Sequence, residues 1–245
     1  MTVSRRADLV LVERGFYESR AQAQSAIAAG LVTVNGRPVT KASTPVADDS
    51  AIVAEREHPF VSRGGVKLSA ALDHFGFQPQ GRICLDVGAS TGGFTDVLLK
   101  HGARHVFAVD VGHDQFHISL RDDPRITLFE GLDARKLEPA IFFEPPSLIV
   151  CDVSFISLSQ ILPHVVSLGA GHCFLIALVK PQFEVGRGAL KKGIVKDKEA
   201  QLGAVEKSKD MVASLGWTLH GVIESPLKGG DGNIEYLMAA EFSGG

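Results

Sequence analysis

The chain has 245 residues, 45% of them hydrophobic and 22% charged, with a formal net charge of −3. That is ordinary globular composition, long enough for a full core in one or two domains, and it excludes binding of nucleic acid through overall charge alone. No apolar run approaches the ~20 residues that span a bilayer, and the N-terminus, Met-Thr-Val-Ser-Arg-Arg-Ala-Asp, lacks the apolar core of a secretory leader, so a soluble cytoplasmic protein with no membrane partner is expected.

Residues 1–54 read as a small α/β module. A short apolar helix over Ala7–Arg14 ends at Gly15. Ser19-Arg20-Ala21-Gln22 is a capping box, with serine as cap and glutamine three residues on. The helix it opens, Arg20–Ala29, stops at Gly30, a residue suited to the left-handed turn after a helix. Val32–Val39 then forms two short alternating strands around Asn35-Gly36, and Ala51–Ala54 is a further strand. Six basic residues against three acids in residues 1–44 make this the positive end of the chain. Arg5, Arg6, Arg20, Asn35 and Arg37 are therefore candidates for an RNA-binding surface. Basic surface residues are often merely solvated, and this pattern alone is only modestly specific.

Residues 55–62 are charged and contain a proline, which places a linker there. From residue 63 to 245 strands and helices alternate. Helix Val66–Phe75 precedes strand Arg82–Val87; helix Phe94–His101 precedes His105–Asp110; strands follow near Ile126–Phe129 and at Leu148–Asp152. Helix Leu158–Ser167 leads to strand Cys173–Val179, and helix Lys198–Leu215 leads to Thr218–Glu224 and a last strand Ile234–Phe242. Repeated βα units imply a mostly parallel, doubly wound sheet. Ser225–Asn233 is too short for a crossover, so the last two strands pair antiparallel. Cys84, Cys151 and Cys173 lie in apolar, strand-like runs with no paired spacing and read as small buried hydrophobes in a reducing compartment.

The segment Asp86-Val87-Gly88-Ala89-Ser90-Thr91-Gly92-Gly93-Phe94 joins the first strand of this part to the next helix. A phosphate-binding P-loop needs Lys-Ser/Thr after the glycines, where this chain has Phe94-Thr95. A dinucleotide loop needs a middle glycine where Ser90 stands. S-adenosylmethionine, which has no phosphate, suits a roomy loop flanked by carboxylates. Asp86 and Asp110 end successive strands and Asp133 follows the third, with Asp110 placed for ribose hydroxyls and Asp133 for the adenine edge. Asp152 and Lys180 likewise end strongly apolar runs, where the carboxyl ends of strands form the ligand crevice.

Four further motifs carry a family resemblance over nearly the whole chain: Ser62-Arg63-Gly64-Gly65-Val66-Lys67-Leu68, Cys151-Asp152-Val153-Ser154-Phe155-Ile156-Ser157, Leu178-Val179-Lys180-Pro181-Gln182-Phe183-Glu184, and Gly188 with Gly193-Ile194-Val195 and Gly232-Asn233-Ile234-Glu235. With the glycine loop they resemble the TlyA family of ribosomal RNA 2′-O-methyltransferases, some of which carry the label hemolysin; the catalytic part is similar to FtsJ-type ribose methyltransferases. The glycine loop departs from that group, which more often has a proline where this chain has Ser90-Thr91.

The resemblance implies a class I S-adenosylmethionine-dependent methyltransferase, Rossmann-like with a mostly parallel sheet and an antiparallel last strand, behind a small α/β domain of ribosomal-protein type. It implies a catalytic tetrad of Lys67, Asp152, Lys180 and Glu235, with Lys180 as base or alkoxide stabiliser. It implies a cofactor site of Asp86, Gly88, Ala89, Ser90, Thr91, Gly92, Gly93, Phe94, Asp110, Val111, Asp133 and Asp152, no metal, and ribosomal RNA or ribosomal subunits as partner, with cytidine as the methylated nucleoside. The tetrad holds two charges of each sign, so charge counting does not decide the protonation state of Lys180. Arg63, Arg187, Lys191 and Lys192 are further candidates for contact with RNA phosphates, and Phe183 for stacking on a base or packing in the core. His101, His105 and His113 lack metal-ligand spacing and read as structural. Two other functions stay open at this point: a non-catalytic RNA-binding or ribosome-assembly protein, and a membrane-active hemolysin. The oligomeric state is open as well.

Overall fold

The computed structural model describes residues 4–17, 19–55, 58–186, 188 and 190–244. The chain divides into two units, Met1–Pro59 and Phe60–Gly245, each with a core of its own. Phe60 and Val61, expected as linker, pack instead on the core of the second unit, because an apolar pair beside a helix start is better buried than solvated.

The first unit contains strand β1 (Ser4–Arg6), helices α1 (Ala7–Glu13) and α2 (Arg20–Ala28), and strands β2 (Val32–Val34), β3 (Arg37–Pro38), β4 (Pro45–Ala47) and β5 (Ile52–Ala54). Ser19 caps α2 by accepting the Gln22 N–H at 3.3 Å. Asn35 and Gly36 have φ of +49° and +76°, both in the left-handed region, as a two-residue hairpin turn requires. β2 is the centre of a three-stranded sheet with β3 and β5, while β1 pairs with β4 in a separate ladder that the sequence pattern did not reveal. Val10, Leu11, Ala23, Ile27, Val32 and Val46 form the core between helices and strands.

The second unit runs α3 (Arg63–Phe75), β6 (Ile83–Val87), α4 (Gly93–Lys100), β7 (His105–Asp110), α5 (Ile118–Arg121), β8 (Ile126–Glu130), β9 (Leu148–Cys151), α6 (Leu162–Val166), β10 (His172–Val179), α7 (Pro181–Glu184), α8 (Lys198–Ser214), β11 (Thr218–Glu224) and β12 (Tyr236–Ser243). The seven strands lie in the order β11-β12-β10-β9-β6-β7-β8. β6 through β10 pair in parallel, and β12 is antiparallel to both β10 and β11. The helix expected over Leu158–Ser167 is split: a 3-10 turn covers Leu158–Gln160 and α6 starts only at Leu162, because Pro163 has no N–H and is accepted only in a first helical turn.

Side chains alternate across the sheet. Ile83, Leu85 and Val87 of β6 and Leu175, Ala177 and Val179 of β10 enter one core. Cys84, Ile176 and Leu178 enter the other, beneath α3 and α4. Strand order reverses between β6 and β9, since the chain steps from β6 outward through β7 and β8 and returns to β9 on the other side. In open α/β sheets that switch point is where ligands bind. No helix among the described residues is long and apolar enough to cross a membrane.

Candidate active site

The crevice at the switch point is built by close approach of two strand ends. Asp152, just after β9, donates its N–H to the Val87 carbonyl at 2.9 Å. A Cβ on Gly88, at φ +85°, would stand 2.3 Å from the Asp152 carbonyl oxygen, so only glycine allows the two loops to touch. Ser90 has φ +46°, an unfavourable region for a residue with a side chain. Its N–H donates to Asp110 Oδ2 at 2.8 Å, and Gly112 N–H donates to Asp110 Oδ1 at 2.6 Å. One carboxylate at the end of β7 thus organises both loops.

These loops and those after β8 and β9 enclose a cavity of about 430 Å³, lined among others by Gly88, Ser90, Asp110, Val111, Asp133 and Asp152. Val111 is exposed and offers an apolar wall. Asp133 also lines it, but its carboxylate is gripped by Arg135 at 2.6 and 3.0 Å. Those hydrogen bonds hold its ionisation down at about 2. Ala89, Thr91, Gly93 and Phe94 line a smaller recess of about 130 Å³ together with Ser90, Lys67 and Asp152. Asp86 and Gly92 line neither. Asp86 is fully buried because the alternation of β6 turns it toward α4, where its Oδ2 accepts the Thr95 hydroxyl at 2.6 Å. Burial, aided by the charge of Asp152, pushes its ionisation up to about 7. Gly92 is the left-handed residue before α4.

The four tetrad candidates meet at the edge of this crevice. The register of β10 with β12 pairs Val179 with Tyr236, so one further step sets Lys180 beside Glu235. The antiparallel last strand is what delivers an acid from a strand start to the carboxyl ends of its neighbours. Lys67, from α3, is ion-paired with Glu235, and both are buried. Lys180 Nζ lies 2.7 Å from Asp152 Oδ1 and donates to Ser154 Oγ at 2.7 Å. The contact with Asp152 is an ion pair at close range. Beyond Lys180 opens a second cavity of about 290 Å³, lined by Ser154, Phe155, Lys180, Gln182, Phe183 and Glu235 among others. Ser154 and Phe155 border both cavities.

Residues 60–242 match the model of the FtsJ-like methyltransferases. The chain belongs to the FtsJ-like methyltransferase family. Residues 5–52 match the S4 domain. The 16S/23S rRNA (cytidine-2′-O)-methyltransferase TlyA of Mycobacterium tuberculosis is 45% identical over 236 residues, covering 95% of this chain and 88% of that protein. Hemolysin A of Brachyspira hyodysenteriae is 42% identical, covering 95% of this chain and 98% of its own. A solved structure of a hemolysin-named protein from Streptococcus thermophilus superposes with a TM-score of 0.78 at 38% identity, covering 99% of this chain and 90% of that one.

The cofactor of this FtsJ-like enzyme is S-adenosylmethionine, and the larger cavity fits it. Its volume is in the range of small-molecule sites, and the carboxylates of Asp110, Asp133 and Asp152 line it in keeping with a cationic guest. Ser154 and Phe155 lie within a family motif but were not among the site candidates, and both line the two cavities. Phe155 is 91% exposed at φ +65°, with its ring 5.2 Å from that of Phe183. A large bare ring in a strained backbone position beside Asp152 was signalled only by its place in the Asp152–Ser157 motif. Gln115 and Arg135 also line the larger cavity without a sequence signal.

The basic candidates divide. Arg5 is paired with Glu13 and Asp48. Arg6 and Arg20 share the carboxylate of Asp8, which is wholly buried and also accepts from Gln24 at 2.7 Å. The Arg6 hydrogen bonds foremost hold the Asp8 carboxyl well below the usual range. Asn35 spends its oxygen on the Ala51 N–H at 2.9 Å, which ties the hairpin turn to the start of β5. Arg37 is exposed and has no ion pair among the described residues. Arg63 donates to the Lys228 carbonyl at 3.0 Å, and Lys191 and Lys192 are exposed. Arg187 lies outside the described residues. All three cysteines are free and buried, and burial pushes their thiols up. No cluster of three or more metal-type ligands occurs among the described residues.

Proposed function

We propose that this protein transfers a methyl group from S-adenosylmethionine to a ribose 2′-oxygen of ribosomal RNA, at a cytidine, in the cytoplasm, with ribosomal subunits as its substrate. The observation that carries the reading is the position of Lys180. Its ammonium group borders the second cavity, while its partner Asp152 and its acceptor Ser154 line the first. A nucleotide in the second cavity and a methyl donor in the first would meet at that nitrogen.

Bound S-adenosylmethionine supplies a methyl already activated by a cationic sulfur, which leaves the protein two tasks, positioning and proton handling. Lys180 Nζ takes the role of receiving the proton of the 2′-hydroxyl or holding the charge that develops on its oxygen. Asp152 and Ser154 fix that nitrogen from one side. Lys67 and Glu235 form a second, more enclosed pair that keeps net charge at the site balanced and the floor rigid. Phe155, with Phe183 behind it, offers a face on which the substrate base stacks, and the preference for stacking is common to all bases. The S4 domain, with Arg37 and the outward edges of Arg6 and Arg20, contributes RNA affinity, and Lys191 and Lys192 hold phosphates near the tetrad.

The test uses methyl-labelled S-adenosylmethionine with separated ribosomal subunits, wild type against Lys180→Ala, followed by mapping of the methylated position. Transfer by the wild type to one cytidine ribose, and its loss in the variant, is expected. Undiminished transfer by Lys180→Ala would revive the non-catalytic, RNA-binding reading.

A further inference from the structure

Two stretches marked out in the sequence, Gly193-Ile194-Val195 and Gly232-Asn233-Ile234, have no part in the chemistry above, and they are bonded to each other. Asn233 is 2% exposed. Its Oδ1 accepts the Val195 N–H at 3.0 Å and its Nδ2 donates to the Gly193 carbonyl at 3.0 Å. The carboxamide thereby brackets Ile194 from both sides. The bracket is backed by a chain of bonds that is buried as far as Tyr236. Gln201 Nε2 donates to the Val195 carbonyl at 2.7 Å, Tyr236 donates its hydroxyl to Gln201 Oε1 at 3.1 Å, and Lys198 Nζ donates to that hydroxyl at 3.0 Å.

What Asn233 grips is a tight turn. Lys191 and Ile194 exchange backbone hydrogen bonds at 3.0 and 3.2 Å. The two residues between them, Lys192 and Gly193, have φ of +53° and +80°. That is the mirror-image turn for which Asn-Gly is the favoured pair, and a lysine in the first central position fits it less well. The turn therefore relies on outside support. It exposes Lys191 and Lys192, while Leu190 and Gly193 line the cavity beside Lys180 and Glu235. Asn233 itself is two residues from Glu235.

We infer that Asn233 is a positioning residue that latches the Lys191–Ile194 turn to the segment carrying Glu235, so that the phosphate-binding lysines and the tetrad act as one rigid body. The inference rests on the reading of Lys191 and Lys192 as RNA contacts given above. A carboxamide is suited to the task because it donates and accepts in one plane. An aspartate keeps the bond from Val195 but faces the Gly193 carbonyl with a second acceptor. Without the latch the turn must be ordered anew each time RNA binds, which weakens binding without touching the proton transfer.

The test compares wild type, Asn233→Ala, Asn233→Asp and Lys191→Ala/Lys192→Ala with and without Asn233→Ala, all in the full-length chain. It measures methyl transfer to isolated ribosomal subunits, cofactor affinity by calorimetry, and limited trypsin cleavage after Lys191 and Lys192. We expect Asn233→Ala to raise KM for the RNA about tenfold while kcat stays within about threefold and cofactor affinity within about twofold. Trypsin should cut the turn roughly ten times faster, tracking its open population. Asn233→Asp should behave alike, and in the lysine-free background Asn233→Ala should add less than about twofold, because one latch serves one grip. An unchanged KM, or a turn as resistant to trypsin as in the wild type, overturns the latch. So does a loss of cofactor affinity parallel to the rise in KM, which marks a general loss of packing. Absence of transfer by the wild type is a different result: it removes the proposed reaction, and the trypsin arm still decides whether the latch exists.

Discussion

The two cavities that meet at Ser154 and Phe155 are made in different ways. The larger one is bounded by the ends of β6, β7 and β9, and its shape comes from backbone: the Gly88 approach, the Asp152 N–H on Val87, and Asp110 holding two loop amides. The smaller one is bounded by the loop after β10 and the segment before β12, and its shape comes from side chains such as Lys180, Gln182, Phe155 and Phe183. Backbone cradles serve a cofactor that is always the same molecule. Side-chain walls suit the substrate proposed for the second cavity, which has to be chosen. Substitutions on the two sides should therefore separate cofactor affinity from turnover.

The largest separation is expected at Lys180. Lys180→Met should lower single-turnover methyl transfer by roughly 10²–10⁴-fold, the range for loss of a positioned proton-transfer group. Calorimetry should find cofactor affinity within a few-fold of wild type, since Lys180 does not line the larger cavity. A comparable loss of cofactor affinity would show that the two cavities are not independent. Gly88→Ala should fail on both sides, because the new methyl would collide with the Asp152 carbonyl at 2.3 Å and the backbone would be held at φ +85°. A destabilisation of roughly 1–3 kcal/mol and a loss of at least about tenfold in cofactor affinity are expected. Thermal melting and calorimetry on the same sample check both, and wild-type values would mean that the loop relaxes freely.

The same contrast explains what was legible in the sequence. Strand-end carboxylates after apolar runs located the larger cavity, because in a doubly wound sheet position along the chain almost fixes position in space. Asp86 was the exception. Its place at a strand end was read correctly, but period-2 alternation turns it under α4 and out of the cavity. The pairing of Lys67 with Glu235 depends on the insertion of β12 between β10 and β11, which no local pattern encodes. The arginines of the S4 domain were visible as charge, while the pairings of Arg5 with Asp48 and of Arg20 with Asp8 join residues distant in the chain and form only on folding.

Asp86 also gives a smaller, pH-resolved effect. Its carboxyl ionises near 3.8 when free and about 7 in the fold, raised first by burial. Between those values the folded state holds a proton that the unfolded chain has lost, so this group lowers stability as pH rises from about 4 to about 7 and contributes a constant penalty above that. Asp86→Asn removes the ionisation and keeps an acceptor for Thr95. The variant should be more stable than wild type at pH 8 by on the order of a few kcal/mol, with the gain vanishing near pH 4. Chemical denaturation at both pH values checks it, and a variant less stable at pH 8 would mean that the charged form is stabilised in the fold.

The smallest expected effects lie in the S4 domain, and they sharpen the contrast between charge that is free and charge that is spent. Arg5 is committed to Glu13 and Asp48, so removing it leaves two acids unpaired near the surface and changes phosphate binding little. Arg37 projects from β3 without an ion pair among the described residues, so a phosphate would be its first partner. Arg37→Ala should weaken binding of a ribosomal RNA fragment by a few-fold at low salt and reduce the slope of log affinity against log salt by about one. Arg5→Ala should leave that slope unchanged. Salt titrations of fluorescence anisotropy on both variants measure it directly. Equal slopes would mean that the ion pairs of Arg5 open as RNA binds, and that pairing in the free protein does not mark an arginine as spent.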